Sequence, residues 1–197
     1  RAVAFYNPSA QAAEATLSFR DVDLAGTIAV RDVFERKDEA ARTDGQMQVS
    51  VPGHGCRIYL LTATKRLERQ RYEAETAYIS DYQELWNNQA KKTGIYEYDD
   101  RCSAGMKATW LGCSTQNDLQ WKHVYVNKAG KRTLSFKCLS PDKRQFTLSV
   151  NGTDVKTLTV DGNATVSLKV KLQKGDNIVR LYNEQTWMPD VDCMTVK

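Results

Sequence analysis

Residues 165–172 read TVSLKVKL, with an apolar residue at every second position. Successive side chains of a β-strand point to opposite faces, so this pattern predicts a strand with one buried and one solvated face. An amphipathic helix would instead repeat its apolar residues every three or four positions. The stretch therefore indicates an antiparallel sheet that covers a core with one of its faces.

The same alternation recurs along the chain, for example in residues 46–51 (QMQVSV) and 133–138 (TLSFKC). Turn-forming residues separate these stretches, as in PGHG at 52–55, NG at 151–152 and KGD at 174–176. Almost no segment has helical periodicity. Short strands with regular turns predict an all-β protein built from antiparallel β-sandwiches.

The length of 197 residues favours two such sandwiches, because a compact domain typically holds about 100–150 residues. The charged run KRLERQR at 65–71 separates one predicted strand at 57–62 from the next at Tyr72. We therefore predict a first domain at residues 1–65, a linker at 66–71 and a second domain at 72–197.

Charge and hydropathy argue against two classes of partner. The net charge of +4 is small and dispersed, and the densest basic run lies in the predicted linker, so no nucleic-acid partner is expected. The longest apolar runs, such as residues 58–61, are far shorter than the roughly 20 residues that span a bilayer, so no membrane span is expected.

The cysteines and histidines give no catalytic or zinc motif. The five cysteines include no C-x-x-C pair, and the favoured interpretation is buried free thiols, with a Cys102–Cys113 bridge as the less favoured alternative. His54 and His123 lie in different predicted domains, without a neighbouring triad or metal-ligand pattern.

The second predicted domain carries several short motifs in a specific order. These are YEAE at 72–75, LQW at 119–121, NG at 151–152, KGDNIVRL at 174–181 and PDVD at 189–192. On these motifs, residues 72–197 resemble the carbohydrate-binding modules of families 6 and 35. The resemblance implies a jelly-roll β-sandwich that binds carbohydrate.

The first predicted domain contains VAFYN at 3–7, VRDVF at 30–34 and VPGHG at 51–55. On these motifs it resembles the C-terminal β-domain that follows the catalytic barrel in family 27 glycoside hydrolases, the α-galactosidases. The resemblance implies a secreted or periplasmic glycosidase, with the barrel of the parent chain as a partner. The chain begins at Arg1 in a strand-like stretch, so we expect a fragment without the catalytic barrel, inactive alone.

Two glutamates on the first strand of the second domain suggest a metal site. On a strand, Glu73 and Glu75 would share one face, with Ala74 on the other. The resemblance implies that both glutamates, together with Asp192 on the last strand, hold a structural Ca²⁺ ion, and Asp190 could add an oxygen. Calcium takes 6–8 oxygen ligands, and clustered carboxylates need a cation. The alternative is a pair of solvated glutamates on an edge strand.

The candidate sugar site lies in residues 182–189 (YNEQTWMP). A sugar presents hydroxyl groups and an apolar C–H face, so its site needs an exposed aromatic ring beside amide or carboxylate groups. The resemblance implies a ligand-binding asparagine at Asn183, and Trp187 is placed to stack on the sugar.

A second aromatic ring is expected from an earlier loop. Tyr96 and Trp86 are favoured over Tyr82 and Tyr98. Trp121 is predicted to lie in the core, whereas Trp110 could face either way.

The function expected from these features is carbohydrate binding, with a galactose-containing glycan as the ligand, to target the parent enzyme to its substrate. The alternative is a structural sandwich that docks on the catalytic barrel or on a partner subunit without binding sugar. The stretch CSAG at 102–105 supports that alternative, because the resembled modules often have paired glycines there.

Overall fold

The computed structural model describes residues 1–81 and 93–197. The described chain divides into two compact units, Arg1–Glu68 and Arg69–Lys197. The boundary falls inside the segment that the sequence analysis assigned to a linker. One strand ends at Arg66 and the next begins at Arg71, so residues 67–70 connect the two units.

The first unit is a small β-sandwich. Its strands are β1 (Ala2–Tyr6), β2 (Ala13–Ser18), β3 (Leu24–Asp32), β4 (Lys37–Asp38), β5 (Gln46–Val51) and β6 (Cys56–Arg66). A four-stranded antiparallel sheet has the order β1-β6-β3-β4, and β2 pairs with β5. Phe19, Ile28 and Met47 fill the core of this unit, which residues from both sheets share.

The second unit is a larger antiparallel sandwich. Its strands are β7 (Arg71–Glu73), β8 (Tyr78–Ile79), β9 (Ile95–Tyr98), β10 (Met106–Thr109), β11 (Gly112–Val126), β12 (Gly130–Leu139), β13 (Lys143–Val150), β14 (Thr153–Asp161), β15 (Ala164–Leu172), β16 (Gly175–Trp187) and β17 (Asp190–Val196). Short 3-10 turns occur at Phe19–Val22 in the first unit and at Ala74–Thr76 and Ser103–Gly105 in the second. The described part of the chain has no α-helix, which confirms the all-β prediction, and contains no helix able to cross a membrane.

Two sheets enclose the core of the second unit. One has the order β15-β12-β17-β10-β9, with β7 also paired to β17, and the other has the order β14-β13-β16-β11-β8. Phe136 lies between them, with ring centroids 6.2 Å from Trp121 and 5.5 Å from Phe146. Trp121 is only 3% exposed, so the prediction of a core tryptophan is confirmed.

The alternating residues 165–172 form a strand with one face toward the core and one toward solvent, as predicted. Val170 and Leu172 are buried in the core, and Val166 and Leu168 pack against it. Lys169 and Lys171 are exposed on the other face. Because β15 is an edge strand, these lysines also oppose pairing with a further strand.

A β-bulge in β17 positions the site described below. In the pairing with β12, the register steps from Lys137 opposite Cys193 to Cys138 opposite Val191, so Asp192 is the extra residue. A bulge turns two successive side chains toward the same side of a sheet. Val191 and Met194 face the core, and the ligand atoms of Asp192 and Cys193 lie together in one cluster.

Candidate functional site

The two glutamates of the predicted metal site do not lie on one strand. Strand β7 ends at Glu73, and Glu75 belongs to the 3-10 turn Ala74–Thr76, so the expected alternation is wrong there. The turn closes because the Ala77 N–H donates to the Ala74 carbonyl at 3.0 Å. The Thr76 hydroxyl also donates to the Glu73 carbonyl at 2.9 Å.

The turn nevertheless keeps Glu75 close to the other acidic groups. Burial raises the pKa of Glu75, and the negative charges of Glu73 and Asp192 raise it further. Glu75 Oε2 is buried and has no hydrogen-bond partner among the described residues. Glu75 therefore lies within electrostatic range of Glu73 and Asp192, but the ligand atoms that lie within 4.8 Å of one another among the described residues belong to Glu73, Asp192 and Cys193.

Glu73, Asp192 and Cys193 form the centre of this cluster, with ligand atoms all within 4.8 Å of one another. Ser103 lies against two of them. Its hydroxyl is 2.6 Å from Glu73 Oε2 and contacts Asp192 Oδ1, and its backbone N–H donates to Asp192 Oδ1 at 3.0 Å. The Trp121 Nε1–H donates to the Glu73 carbonyl at 3.0 Å, which fixes the end of β7 to the core.

Two basic side chains face the same carboxylates. Arg71 Nε donates to Glu73 Oε1 at 2.6 Å, and Lys137 Nζ lies 2.6 Å from Asp192 Oδ2. The contact between Lys137 Nζ and Asp192 Oδ2 is a close ion pair, but its angles are not those of a hydrogen bond. Both basic side chains are about half exposed, whereas the Asp192 side chain is 0% exposed.

The residues present fit a hard divalent cation. Carboxylate and hydroxyl oxygens are the ligand type that Ca²⁺ prefers. Glu75 Oε2 has no hydrogen-bond donor among the described residues, so a bound ion could serve as its partner. The Asp190 carboxylate is engaged elsewhere, since its two oxygens contact Lys107 Nζ at 2.7 Å and the Thr109 hydroxyl at 2.6 Å. Asp190 also lies outside the cluster of ligand atoms formed by Glu73, Asp192 and Cys193, so its role as a further ligand stays a prediction.

A pair of tryptophans forms the candidate sugar-binding feature. Trp187 is the last residue of β16, and its ring meets the Trp110 ring edge to face at 5.7 Å and 84°. Trp110 Nε1–H donates to Glu97 Oε1 at 3.2 Å. Sequence alternation left the direction of Trp110 open, and the structure places it beside Trp187.

Backbone geometry explains why alternation could not place Trp110. Its φ is +57°, a conformation that is rare for a bulky residue and often found at functional sites. The buried Asn117 side chain holds this segment, because its Nδ2 donates to the carbonyls of Trp110 at 2.7 Å and Gly112 at 2.9 Å. Asn117 Oδ1 accepts the Gly94 N–H at 2.8 Å.

A surface depression of about 390 Å³ adjoins Trp187. Its lining residues are Asp142, Lys143, Arg144, Gln145, Thr186 and Trp187. Arg144 is fixed in the wall, since its Nε donates to Asp142 Oδ1 at 2.6 Å and its Nη1 to the Met188 carbonyl at 3.1 Å. The depression therefore combines an aromatic ring with polar and charged groups.

Asn183 has a structural role in this arrangement. Its Nδ2 donates to the Gln145 carbonyl at 3.0 Å and the Thr186 hydroxyl at 2.9 Å, and its Oδ1 accepts the backbone N–H groups of Gln185 and Thr186. These bonds shape the segment that precedes Trp187. A sugar could bind Asn183 directly only by replacing one of these bonds, and such a direct contact stays a prediction.

The structure describes only two of the other aromatic candidates, Tyr96 and Tyr98. Tyr96 packs against the core and donates its hydroxyl to the Ala77 carbonyl at 2.6 Å, so it supports the turn after β7 instead of presenting a free ring. Trp86 and Tyr82 lie outside the described residues. Tyr98 is 77% exposed.

Comparisons with known proteins find similarities for the two parts separately. Residues 1–61 match the family described as the alpha galactosidase C-terminal beta sandwich domain. Structures similar to the chain include a family 35 carbohydrate-binding module from Clostridium thermocellum, with a TM-score of 0.56, 23% identity, and coverage of 64% of this chain and 96% of that chain. A family 35 module from Paenibacillus barcinonensis has a TM-score of 0.54, 18% identity, and coverage of 66% and 98%.

A third similar structure spans nearly the whole chain. The isomalto-dextranase of Arthrobacter globiformis T6, solved in complex with panose, has a TM-score of 0.59 and 16% identity, and covers 99% of this chain. The chain spans about a third of that enzyme, 34% of its length. No curated protein matches the sequence. The sequence-based recognition of both parts is confirmed, for the larger part at the level of the fold.

Proposed function

We propose that this chain is the non-catalytic, carbohydrate-binding region of a larger glycoside hydrolase of the α-galactosidase type. The observation that carries the proposal is the Trp110–Trp187 pair at the end of the second sandwich, beside a polar depression. The match of residues 1–61 to an α-galactosidase domain and the fold shared with family 35 modules support it. This function belongs outside the cytoplasm, in a secreted or periplasmic protein.

The chemistry of the depression suits a sugar. A tryptophan face stacks on the apolar C–H face of a sugar ring, and polar groups such as Gln145 and Lys143 can bond its hydroxyls. The unfavourable φ of Trp110 costs roughly 1–3 kcal/mol, and Asn117 maintains it against that cost. We propose a galactose-containing glycan as the ligand, because the parent enzyme would act on the same class of sugar.

Calorimetric titration with galactose-containing oligosaccharides tests this proposal. Trp187→Ala should abolish the binding heat, because it removes the stacking surface. Tyr6→Ala is the matched control, since Tyr6 is an aromatic residue of the first unit and is 73% exposed. An absence of binding across several classes of glycan would favour the structural alternative.

We also propose that Glu73, Glu75 and Asp192 hold a structural Ca²⁺ ion. The bound ion would supply the positive charge that lets three neighbouring carboxylates stay ionised in a partly buried position. The residues themselves join the end of β7, the turn at Ala74–Thr76 and the bulge of β17. The ion would therefore stabilise the connection between the first and last strands of the sandwich.

Thermal unfolding with and without Ca²⁺ tests the metal proposal. Calcium should raise the midpoint relative to a chelator, and Mg²⁺ should do so less, because it demands a smaller and more regular shell. Asp192→Asn should remove the shift, whereas the exposed Glu14→Gln variant of the first unit should retain it. Equal midpoints in Ca²⁺ and chelator would contradict the proposal.

We propose that the first unit docks on the catalytic barrel of the parent enzyme. The outer face of β1 and β6 exposes Tyr6 at 73% and Leu60 at 47%, with Ala2 opposite Leu60 and Ala4 opposite Ile58. Exposed apolar side chains on one face of a sheet can contribute to an interaction surface, and this exposure supports the docking proposal. Leu60→Lys should change the stability of this chain by no more than about 0.5 kcal/mol, but lower the midpoint of the complete parent enzyme. Equal effects in both would remove the argument for docking.

A further inference from the structure

The cation nearest to the buried carboxylate of the candidate metal site belongs to the protein itself. Lys137 is on β12, directly opposite Cys193, and the bulge of β17 brings the neighbouring Asp192 toward its ammonium group. Lys137 Nζ is 2.6 Å from Asp192 Oδ2 and also donates to the Arg101 carbonyl at 3.1 Å. The Asp192 side chain is 0% exposed, so its charge depends on local partners.

We infer that Lys137 is a tethered counter-cation that a divalent ion must displace, so that metal binding at this site is an exchange of cations. The inference rests on the proposed calcium site and identifies Lys137 as a residue that sets its affinity. Lys137 would hold Asp192 in the metal-free protein and turn into solvent when the ion binds.

Distance supports a direct competition. Calcium binds carboxylate oxygens at about 2.3–2.6 Å. Lys137 Nζ already lies 2.6 Å from Asp192 Oδ2, which is within that range. Two cations at one buried oxygen would repel each other strongly in surroundings of low dielectric constant. The ion and the ammonium group therefore cannot both keep this contact.

Exposure shows which partner can move. The Lys137 side chain is 45% exposed, and its four-carbon stem can carry the ammonium group into water. Asp192 has no such freedom, because it is fully buried and accepts the Ser103 N–H. Displacement of Lys137 thus requires a rotamer change and no rearrangement of the strands.

Charge balance supports the same conclusion. Two carboxylates of the cluster, Glu73 and Asp192, already have one basic partner each, Arg71 and Lys137. A divalent ion added to these two neutral pairs would leave a surplus of two positive charges, and release of one basic side chain halves that surplus. Lys137 contacts the more deeply buried carboxylate, so its repulsion by the ion is less screened than that of Arg71.

Calcium titrations of wild type, Lys137→Gln and Lys137→Arg test the inference in the 197-residue chain. Lys137→Gln should bind Ca²⁺ on the order of tenfold more tightly, because the ion no longer displaces a competing charge. Lys137→Arg keeps that charge and should stay close to wild type. Lys169→Gln is the control, since Lys169 is an exposed lysine of the same sheet.

Thermal unfolding supplies a second measurement. In chelator, Lys137→Gln should melt below wild type, because buried Asp192 loses its counter-charge. In saturating Ca²⁺ that difference should vanish or reverse. Wild-type binding with unchanged or weaker affinity in Lys137→Gln overturns the inference alone, whereas no Ca²⁺ binding in wild type or any variant overturns both it and the calcium proposal.

Discussion

A single amide side chain, Asn117, fixes the backbone around the tryptophan pair. It is 3% exposed and bonds the backbone of Gly94, Trp110 and Gly112. Only an amide side chain can accept from one backbone N–H and donate to two carbonyls in this way, and glutamine is one carbon longer than asparagine. The geometry of the tryptophan pair at this end of the sandwich thus depends on a buried residue outside the pair.

Asn117→Ala should lower the free energy of unfolding by about 3 kcal/mol, because buried backbone groups lose their partners. It should also weaken sugar binding, since Trp110 is no longer held in its unfavourable conformation. Chemical denaturation and calorimetric titration measure the two effects. The neighbouring Gln116→Ala, at an exposed position, should stay within about 0.5 kcal/mol of wild type. Unchanged sugar affinity in Asn117→Ala would contradict the positioning role.

The five cysteines differ in solvent exposure, whereas the sequence analysis favoured buried thiols throughout. All five are free, but only Cys102, Cys138 and Cys193 are buried, whereas Cys56 and Cys113 are exposed. Burial raises the pKa of Cys102 to about 11, with a further contribution from the charge of Asp192. The expectation of buried thiols is therefore wrong for two positions.

Alkylation at pH 8 should modify Cys56 and Cys113 rapidly in the native protein and leave the other three cysteines protected. The reason is access, since the Cys56 and Cys113 side chains are exposed. Burial raises the pKa of Cys113, and the lower thiolate content slows its reaction without protecting it. Mass spectrometry of labelled peptides identifies the modified sites. Unfolding in denaturant should expose all five, and a protein two mass units lighter with Cys102 and Cys113 unlabelled would reveal a bridge instead.

The ionisation of Asp99 should make the stability of the fold depend on pH. Hydrogen bonds from Arg101, at 2.8 and 2.5 Å, hold the pKa of this carboxyl well below its usual range, and Lys107 lies 3.4 Å away. A carboxyl with a lowered pKa stabilises the fold above its unfolded pKa of about 3.9, and this contribution is lost as the pH falls further. Asp99→Asn should therefore reduce stability at pH 7 and flatten the loss between pH 4 and 2. Thermal midpoints across that range test this, and parallel curves for the two proteins would contradict it.

At the scale of elements, the strands were more predictable than their ends. Alternation of apolar and polar residues predicts β5, β12 and β15 correctly, because each strand has one face in a core and the other in solvent. It fails where the chain leaves extended geometry. Glu75 lies in a 3-10 turn, Trp110 has a positive φ, and Asp192 lies in a bulge, and long-range packing determines each of these.

The candidate site was therefore only partly predictable. The resemblance to carbohydrate-binding modules pointed to the carboxylates Glu73, Glu75 and Asp192, and the composition of residues 182–189 pointed to the ring of Trp187. It could not find Ser103, Lys137 or Trp110, because these reach the site through strand pairing and backbone conformation. Trp86 lies outside the described residues, so its role stays a prediction.

The packing of β12 against the facing sheet predicts a large effect of one core substitution. Phe136 is fully buried and touches Trp121 and Phe146 in the opposite sheet. Phe136→Ala should cost about 3–5 kcal/mol through lost burial and a residual cavity. Phe34→Ala, at a position that is 52% exposed in the first unit, should cost much less. Urea denaturation measures both, and similar losses would contradict this account of the core.

At the scale of the molecule, each unit has its own hydrophobic core, and the two sets of core residues do not overlap. Residues 69–197 should therefore fold alone with a cooperative thermal transition, because this unit encloses its core between two complete sheets. Circular dichroism and calorimetry of that fragment test the expectation. A fragment without a cooperative transition would show that the second unit depends on the first.

Strand β17 occupies an interior position of its sheet, between β12 and β10, although it is the last strand of the unit along the chain. During synthesis, β12 and β10 each have an unpaired edge until β17 has left the ribosome. A nascent chain in this interval exposes sheet edges that can recruit other chains. A released chain truncated after Pro189 should therefore aggregate or bind chaperones, whereas the chain that includes β17 should close the sandwich.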